Sequence, residues 1–383
     1  MWRARSARPV GGFRAEVIRV ERIDGAEDRG ITPLAGDNGD AGAMFVQLNR
    51  NKRGMTLNPT KPRGREVTRR LLATADVVVA NLPGQALTAM GLDAAAVHDV
   101  NPDIVLATTD AFGPGPWVDR LGFDGVGQVM SGAAHLSGPP DQPAKTVALW
   151  VDHLTGALSA FGIVTALLQR HTTGAGDHVQ TALLHSALLH SALTVMAGSL
   201  AEQAVVQPDR VGSDNRAQTV GPADIIATAD GWVIVQIVGD GLFARLAGML
   251  GRPEWVDDPR FASDLSRGDH RDQLVALITP WCAERTTEEV LAAFNTAGVP
   301  SGPVLSPQQV LEHAHVASSP MIAPATYPGV SGSFPLVTSP VRLGNTTSPA
   351  GPTARLGADT DAILTELGYD PAAIATLHQD RIV

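Results

Sequence analysis

The run Thr74-Ala-Asp-Val-Val-Val-Ala-Asn81 is a short apolar segment with β-branched residues at its centre. Such a segment is typical of a strand that is buried in a parallel sheet. Apolar side chains recur at helical spacing between residues 65 and 74, directly before it. A second apolar run, Asp103-Ile-Val-Leu-Ala107, follows a helical pattern over Ala94–Val100. Strands that alternate with helices at this spacing predict βαβ units and therefore an α/β domain.

Further elements are predicted on both sides of these units. Glu16–Glu21 has the pattern of another strand, and Leu154–Arg170 and Thr181–Leu200 have that of long helices. The glycine-containing segment His171–Asp177 between the two helices is predicted as a loop. A β-rich run at Trp232–Val238 is followed by helical stretches that are interrupted by Gly-Pro segments. This part of the chain predicts a smaller α+β domain.

The domain organisation follows from these changes in pattern. Residues 1–204 are predicted as the N-terminal part of a large α/β domain, and residues 205–317 as the small domain. Ser318–Pro352 is rich in Pro, Gly, Ser and Thr, and is interpreted as a long crossing connection. A final helix begins near Asp359, so residues 318–383 are predicted to return the chain to the large domain.

Composition excludes several classes of protein. The 383 residues hold 29 Lys and Arg against 39 Asp and Glu, a net charge of −10, which argues against a nucleic-acid-binding surface. Cys282 is the only cysteine, so internal disulfides and thiolate zinc sites are excluded and a reducing compartment is expected. The first 14 residues lack the apolar core of a secretory signal. The uncharged run Thr181–Ala201 is interpreted as a buried helix rather than a membrane span, which predicts a cytoplasmic protein.

The common catalytic signatures are absent from the chain. It contains no G-x-G-x-x-G that opens a helix, no P-loop, no H-E-x-x-H and no G-x-S-x-G. The eleven histidines are scattered, and His185 and His190 lie five residues apart, which places them on different faces of a helix. We therefore predict no metal site and no permanently bound cofactor.

Polar residues and turns nevertheless follow the two predicted strands. Asn81-Leu82-Pro-Gly84 comes after the first strand, at the edge where open α/β sheets bind ligands. Gly122-Phe-Asp124 and Trp150–Gly156 follow further along the chain. Taken alone, each has a structural interpretation, since the glycine-rich loops fit turns and Asp152 fits the N-cap of a helix.

In this order and spacing, the segments resemble the family III CoA-transferases, the formyl-CoA and carnitine-CoA transferase type. The matching segments include Val17–Arg22, Leu48–Arg53, Thr74–Asn81, Gly122–Asp124, Val151–Gly156, Arg170–Gly176, Leu250–Pro253, Asp257–Phe261, Ala297–Pro303 and Glu366–Tyr369. The resemblance implies a Rossmann-like large domain, a small α+β domain and two ring-shaped chains that interlink as a homodimer. It also implies acyl-CoA and a small carboxylic acid as substrates.

The resemblance assigns roles to particular residues. It implies that Asp152 is the nucleophile, which is chemically sound because a carboxylate is ionised at neutral pH and needs no general base. The contacts to CoA that it implies are Arg22, Leu57, Asn81, Leu82, Phe123 and Asp124. Leu82 departs from the family, which often has an aromatic residue there, and Ala89 replaces a common arginine. Residues 1–14 do not resemble the first strand and helix of the family.

Two other functions remain open on this sequence. The first is an isomerase of the α-methylacyl-CoA racemase type, the same superfamily, which moves a proton with a His/Asp pair. Phe123 stands at the position of that histidine and cannot move a proton, so the transferase is preferred. The second is a CoA-binding paralogue without activity, which the departures at Leu82 and Ala89 motivate.

Overall fold

The computed structural model describes residues 15–31, 34–35, 41–113, 115–118, 120–180, 187–217, 220–330, 332–341, 344 and 351–383. These residues form two compact units. The first lies within residues 1–124, 150–191 and 314–383, and the second within residues 125–149 and 192–313. The sequence prediction instead used the ranges 1–204, 205–317 and 318–383, and that division stays a prediction.

A three-stranded parallel sheet stands at the centre of the first unit. Its strands are β5 (Val77–Ala80), β6 (Val105–Thr108) and β7 (Asp177–Gln180), in the order β5-β6-β7. The two apolar runs of the sequence are thus confirmed as neighbouring parallel strands. β7 was not predicted as a strand: the predicted loop ended at Asp177, and residues 178–180 were assigned to no element, because β7 lacks the apolar signature of a buried strand.

Helices fill the connections of this sheet and bury its apolar side chains. They are α2 (Pro62–Ala73), α3 (Gly84–Met90) and α4 (Ala94–Val100). α2 and α4 confirm the helical patterns predicted at residues 65–74 and 94–100, whereas no helix was predicted at α3. Val78 and Leu106 from the strands pack with Leu72 and Val97 from the helices in one apolar cluster. Each of these side chains is at most 1% exposed, so the strand ends beside the cluster are held firmly.

The first unit also contains a second pair of parallel strands, and the C-terminal helices pack in the same core as these strands. β1 (Val17–Glu21) pairs with β4 (Lys52–Thr56). The connection between them contains a 3₁₀ turn (Glu27–Gly30), the short antiparallel strands β2 (Leu34–Ala35) and β3 (Ala41–Gly42), and helix α1 (Ala43–Asn49). The C-terminal helices α15 (Thr360–Glu366) and α16 (Pro371–Gln379) share a core with β1 and α2. The C-terminal helices therefore pack against elements from the N-terminal part of the chain.

The remaining elements of the first unit lie between the second unit and the C-terminal helices along the chain. They are α14 (Ala314–Ala317) and the antiparallel strands β11 (Ile322–Ala325) and β12 (Phe334–Val337). The Gln47 side chain in α1 exchanges hydrogen bonds with the backbone of Val337. The crossing segment predicted from composition therefore contains a hairpin.

The second unit has an antiparallel sheet with helices, as the α+β prediction requires. Strands β8, β9 and β10 run in the order β10-β9-β8 (Ala223–Ala227, Trp232–Gln236 and Ser301–Pro303). The helices that accompany the sheet are α5 (Asp124–Met130), α6 (Ala133–Leu136), α9 (Asp240–Met249), α10 (Asp264–Asp269), α11 (Arg271–Ala283), α12 (Thr287–Ala297) and α13 (Pro307–Glu312), with a 3₁₀ turn at Pro253–Val256. Val233, Phe243, Ile278 and Phe294 are completely buried in its core.

The two long helices differ from their predictions in extent and burial. α7 spans Trp150–Thr173, so it starts before and ends after the predicted range. α8 spans Ala187–Val206, and residues 181–186 of the predicted helix lie outside the described residues. The prediction that this helix is buried is wrong for the single chain, since most side chains of α8 face solvent. Among the described helices, α7 alone is long and apolar enough to cross a membrane.

Candidate active site

A cavity of about 630 Å³ opens in the first unit beside the parallel sheet. The carboxyl end of β5 contributes Asn81, Leu82 and Pro83 to its wall, and the end of β6 contributes Thr109 and Asp110. Residues 118 and 120–123 and one face of α7 complete it. The cavity therefore lies where parallel α/β sheets usually bind ligands, and its size is typical of a small-molecule site.

Asp152 lies in the first turn of α7 and faces this cavity. The wall continues along the same helix through Gly156, Ser159, Ala160 and Ile163, at the three- and four-residue spacing of one helical face. A β-carbon added at Gly156 would meet no atom within 4 Å, so the space one turn beyond Asp152 is open. A bound molecule can therefore reach the carboxylate along the helix.

Asp124 holds the beginning of α7 from outside the helix. Its side chain is 2% exposed, and its Oδ2 accepts hydrogen bonds from the backbone N–H of Val151 at 2.8 Å and of Asp152 at 3.2 Å. These are two of the N–H groups that a helix leaves without internal partners. The capping function that the sequence allowed for Asp152 is therefore carried by Asp124. The carboxylate of Asp152 forms no hydrogen bond or ion pair with the described residues.

The surroundings of Asp152 make its carboxylate more basic than usual. Burial on the protein side raises its pKa, the negative charge of Asp124 raises it further, and His153 acts in the opposite direction. The residue is exposed, and it lines the cavity. A more basic oxygen is a better nucleophile once it is ionised.

The structure brings together four of the residues named from the sequence. Asn81, Leu82, Phe123 and Asp152 line the same cavity, and the Phe123 side chain is 80% exposed there. Asp124 lies next to them but is committed to the start of α7. This grouping was expected for residues that touch one ligand.

Two predicted contacts lie apart from the cavity wall. Arg22 is an exposed residue whose guanidinium pairs with Glu27 at 2.9 Å. Leu57 is 1% exposed and packs in the core with Ile18 and Met55. Their roles in binding CoA stay predictions.

Sequence reasoning missed several residues of the wall, among them Asp110, Arg120, Thr155 and Ser159. The signal for the two α7 residues was available, because they follow Asp152 at helical spacing. Asp110 and Arg120 belong to irregular loops, whose course no periodicity predicts. Within the described ranges, no cluster of three or more His, Cys, Asp or Glu side chains could hold a metal ion.

Comparisons with known proteins identify the family of this chain. The family model "CoA-transferase family III" matches residues 8–360. A formyl-CoA:oxalate CoA-transferase of Streptomyces avermitilis is 31% identical over 96% of this chain and 93% of its own length. A succinyl-CoA:glutarate CoA-transferase of Mus musculus is 31% identical over 96% of this chain and 84% of its own. The crystal structure of a CAIB/BAIF family protein from Brucella suis superposes with a TM-score of 0.78, at 29% identity over 92% of both chains.

The chain belongs to CoA-transferase family III. It is an enzyme of the CoA-transferase class, a family whose members use CoA thioesters as substrates. The fold and class that the sequence predicted are thereby confirmed.

Proposed function

We propose that this protein is an acyl-CoA:carboxylate CoA-transferase that works through a covalent intermediate on Asp152. The observation that carries the proposal is the position of the Asp152 carboxylate. It faces the 630 Å³ cavity from the first turn of α7, without a hydrogen bond to the described residues, beside the ends of β5 and β6. A carboxylate that the protein leaves unpaired in a ligand-sized cavity is available for chemistry.

The reaction proceeds in two halves. An Asp152 oxygen attacks the thioester carbonyl of the donor, the C–S bond breaks, and a mixed anhydride and CoA thiolate form. The thiolate then attacks the aspartyl carbonyl, which releases the donor acid and leaves an aspartyl-CoA thioester. The acceptor carboxylate attacks this thioester to give a second anhydride, and the thiolate attacks the acceptor carbonyl to give the new acyl-CoA. The last step regenerates the Asp152 carboxylate, so no ATP is consumed.

The other residues of the wall support this chemistry by position. Leu82, Phe123 and Ile163 give the cavity an apolar surface, which limits the water that would hydrolyse the anhydride and thioester. Asn81 lies at the end of β5, where its amide can hold polar groups of the pantetheine arm. We further propose, as the resemblance implies, that Arg22, Leu57 and Asp124 contribute to the CoA site.

The experiment is to incubate the protein with a panel of acyl-CoAs and search for CoA attached to Asp152 by peptide mass spectrometry. Asp152→Asn should carry no CoA and should lose at least about 1000-fold in transfer rate, because an amide cannot form the anhydride. Asp110→Asn is the matched control, since Asp110 lines the same cavity but its Oδ1 accepts the Gly113 N–H at 2.5 Å. Transfer that persists undiminished in Asp152→Asn would show that the nucleophile is wrongly assigned.

The same experiment separates the two alternatives. A racemase would exchange the α-proton of a 2-methylacyl-CoA with deuterated water, and a paralogue without activity would bind CoA but form no adduct. None of the described residues that line the cavity is a histidine, so the proton-moving pair of the racemases is not formed there. This observation favours the transferase.

We also propose that the protein is a cytoplasmic homodimer. Phe161 and Leu168 on α7 are 72% and 70% exposed in the single chain, and Val195 on α8 is 57% exposed. Apolar helix faces of this kind are normally covered in an obligate dimer. Sedimentation equilibrium should give twice the mass of one chain, and a monomeric mass at micromolar concentration would refute the proposal.

A further inference from the structure

One cation faces the cavity that contains Asp152. Among the described residues of the cavity wall, Arg120 alone has a positively charged side chain, while Asp110 and Asp152 carry negative charges. The whole chain has a net charge of −10, so a local cation is needed wherever an anion is to be bound. The proposed mechanism assigns no role to Arg120.

Aromatic contacts hold the Arg120 guanidinium in place. Its Cζ lies 4.0 Å from the centre of the Trp117 ring, and Trp117 in turn meets Phe112 edge-on, with ring centres 5.5 Å apart. Stacking on a ring uses one face of the guanidinium and leaves the N–H groups at its edge available. The side chain is therefore oriented before a ligand arrives, and its planar fork matches the two oxygens of a carboxylate.

The charge of Arg120 is not used by the described part of the protein. Its guanidinium forms no ion pair or hydrogen bond with those residues, although its backbone N–H donates to Trp117. Arg53, by contrast, is paired with both Glu16 and Glu366. Asp110, which shares the described cavity wall with Asp152, already accepts the Gly113 N–H. The fork is thus open to a ligand.

Acceptor acids differ in what they bring into this cavity. When CoA is attached to Asp152, that residue has lost its charge, and the acceptor enters with its reacting carboxylate. A dicarboxylic acid brings a second carboxylate as well, which enters beside apolar groups such as Leu121 and Phe123 that offer it no hydrogen bond. An arginine fork can donate two charge-assisted hydrogen bonds to that carboxylate.

We propose that Arg120 binds the remote carboxylate of a dicarboxylic acid, so that this protein selects dicarboxylic over monocarboxylic acids of the same length. This assignment rests on the proposed transferase function and specifies its acceptor. Arg120 acts here as a binding residue, and Trp117 as the residue that positions it.

The test compares acid pairs of equal length, from propionate and malonate to hexanoate and adipate, as acceptors for one acyl-CoA donor. Arg120→Gln should lower kcat/KM for the best dicarboxylic acid by about 10- to 100-fold, the range for hydrogen bonds to a charged group. For the monocarboxylic partner it should change kcat/KM by less than about twofold. Arg120→Lys keeps the charge without the fork, so its kcat/KM for the dicarboxylic acid should lie between those of the wild type and Arg120→Gln. Arg252→Gln removes an exposed arginine outside the cavity wall and should change neither value.

Several results would overturn the assignment. Equal losses for both kinds of acid, or slower formation of aspartyl-CoA from the donor alone, would show that Arg120 serves CoA instead. An unchanged preference in Arg120→Gln would show that it serves neither. Titration calorimetry of the acids with the wild type and Arg120→Gln gives a second readout that needs no turnover. If the protein binds a dicarboxylic acid through Arg120 but never forms aspartyl-CoA, the Arg120 assignment holds and the proposed function fails. If the wild type does not bind a dicarboxylic acid in this way, the Arg120 assignment is overturned.

Discussion

Asp124 is the residue whose substitution reports on both the fold and the chemistry of the site. Its buried carboxylate accepts two N–H groups at the start of α7, at 2.8 and 3.2 Å, and its charge raises the pKa of Asp152. Asp124→Ala removes both hydrogen bonds and leaves the two donors without partners. Loss of a helix cap costs about 0.5–2 kcal/mol, and charged hydrogen bonds lie at the upper end. Because this cap is 2% exposed, we expect a loss of about 2 kcal/mol in the free energy of unfolding.

Asp124→Asn separates the charge from the hydrogen bonds. Its amide oxygen can still accept from the helix, so the loss of stability should be about 1 kcal/mol or less. The negative charge beside Asp152 is gone, so the pKa of Asp152 should fall toward the ordinary value of 3.8. Since Asp152 must be ionised to attack, kcat/KM for the acyl-CoA is lost as the pH falls through its pKa. In the wild type this loss should begin at a higher pH than in Asp124→Asn.

Urea denaturation measures the stability of these variants, and the pH dependence of kcat/KM measures the pKa. Asp93→Ala is the matched control, because Asp93 caps α4 through the Ala96 N–H at 3.1 Å and lies outside the cavity wall. It should cost about 1 kcal/mol and leave the pH profile in place. If Asp124→Ala is as stable as the wild type, or if Asp124→Asn leaves the acid limb of the profile where it was, the role assigned to Asp124 is refuted.

Two further predictions concern the buried charges beside β1. Glu21 and Arg29 are 5% and 6% exposed and joined at 2.7 Å, so Glu21→Gln, which leaves the arginine without its carboxylate, should cost about 3 kcal/mol in urea denaturation. A double variant with Arg29→Met should recover part of this loss, and equal losses in the single and double variants would contradict the pairing. Burial, and secondarily Arg19, lowers the pKa of Lys52 to about 7, so between pH 7 and 10 the unfolded chain binds a proton there that the folded chain does not. Stability of the wild type should therefore rise over this range relative to Lys52→Met, and parallel curves would show that Lys52 keeps its proton when folded.

The elements with a strong local signal were predictable. The strands at Val77–Ala80 and Val105–Thr108 are apolar except for Thr108, since side chains on both of their faces are buried, and this burial is visible in the sequence. β7 has no such mark, because three-dimensional pairing with β6 rather than its own residues makes Asp177–Gln180 a strand. The exposure of α8 was also misjudged, since an uncharged helix looks the same in sequence whether its own chain or another molecule covers it.

The site was predictable to the extent that its residues belong to short recognisable segments. The resemblance to the family pointed to Asp152, Asn81, Leu82 and Phe123, and all four line one cavity. The sequence had assigned Asp124 to the ligand. Its actual hydrogen bonds run to residues 151 and 152, and no local rule connects a side chain to a helix that begins 26 residues later.

From its sequence this chain could be recognised as an α/β protein that resembles one enzyme family and has a candidate nucleophile, because strand burial and short motifs are local properties. The tertiary structure alone decided which charge stays available for chemistry. Asp124 is consumed by the start of α7, Arg53 by two glutamates, and Asp152 and Arg120 are left facing the same space. Whether a charged side chain is paired depends on what the folded chain brings within about 3 Å of it, and distance along the sequence does not record that.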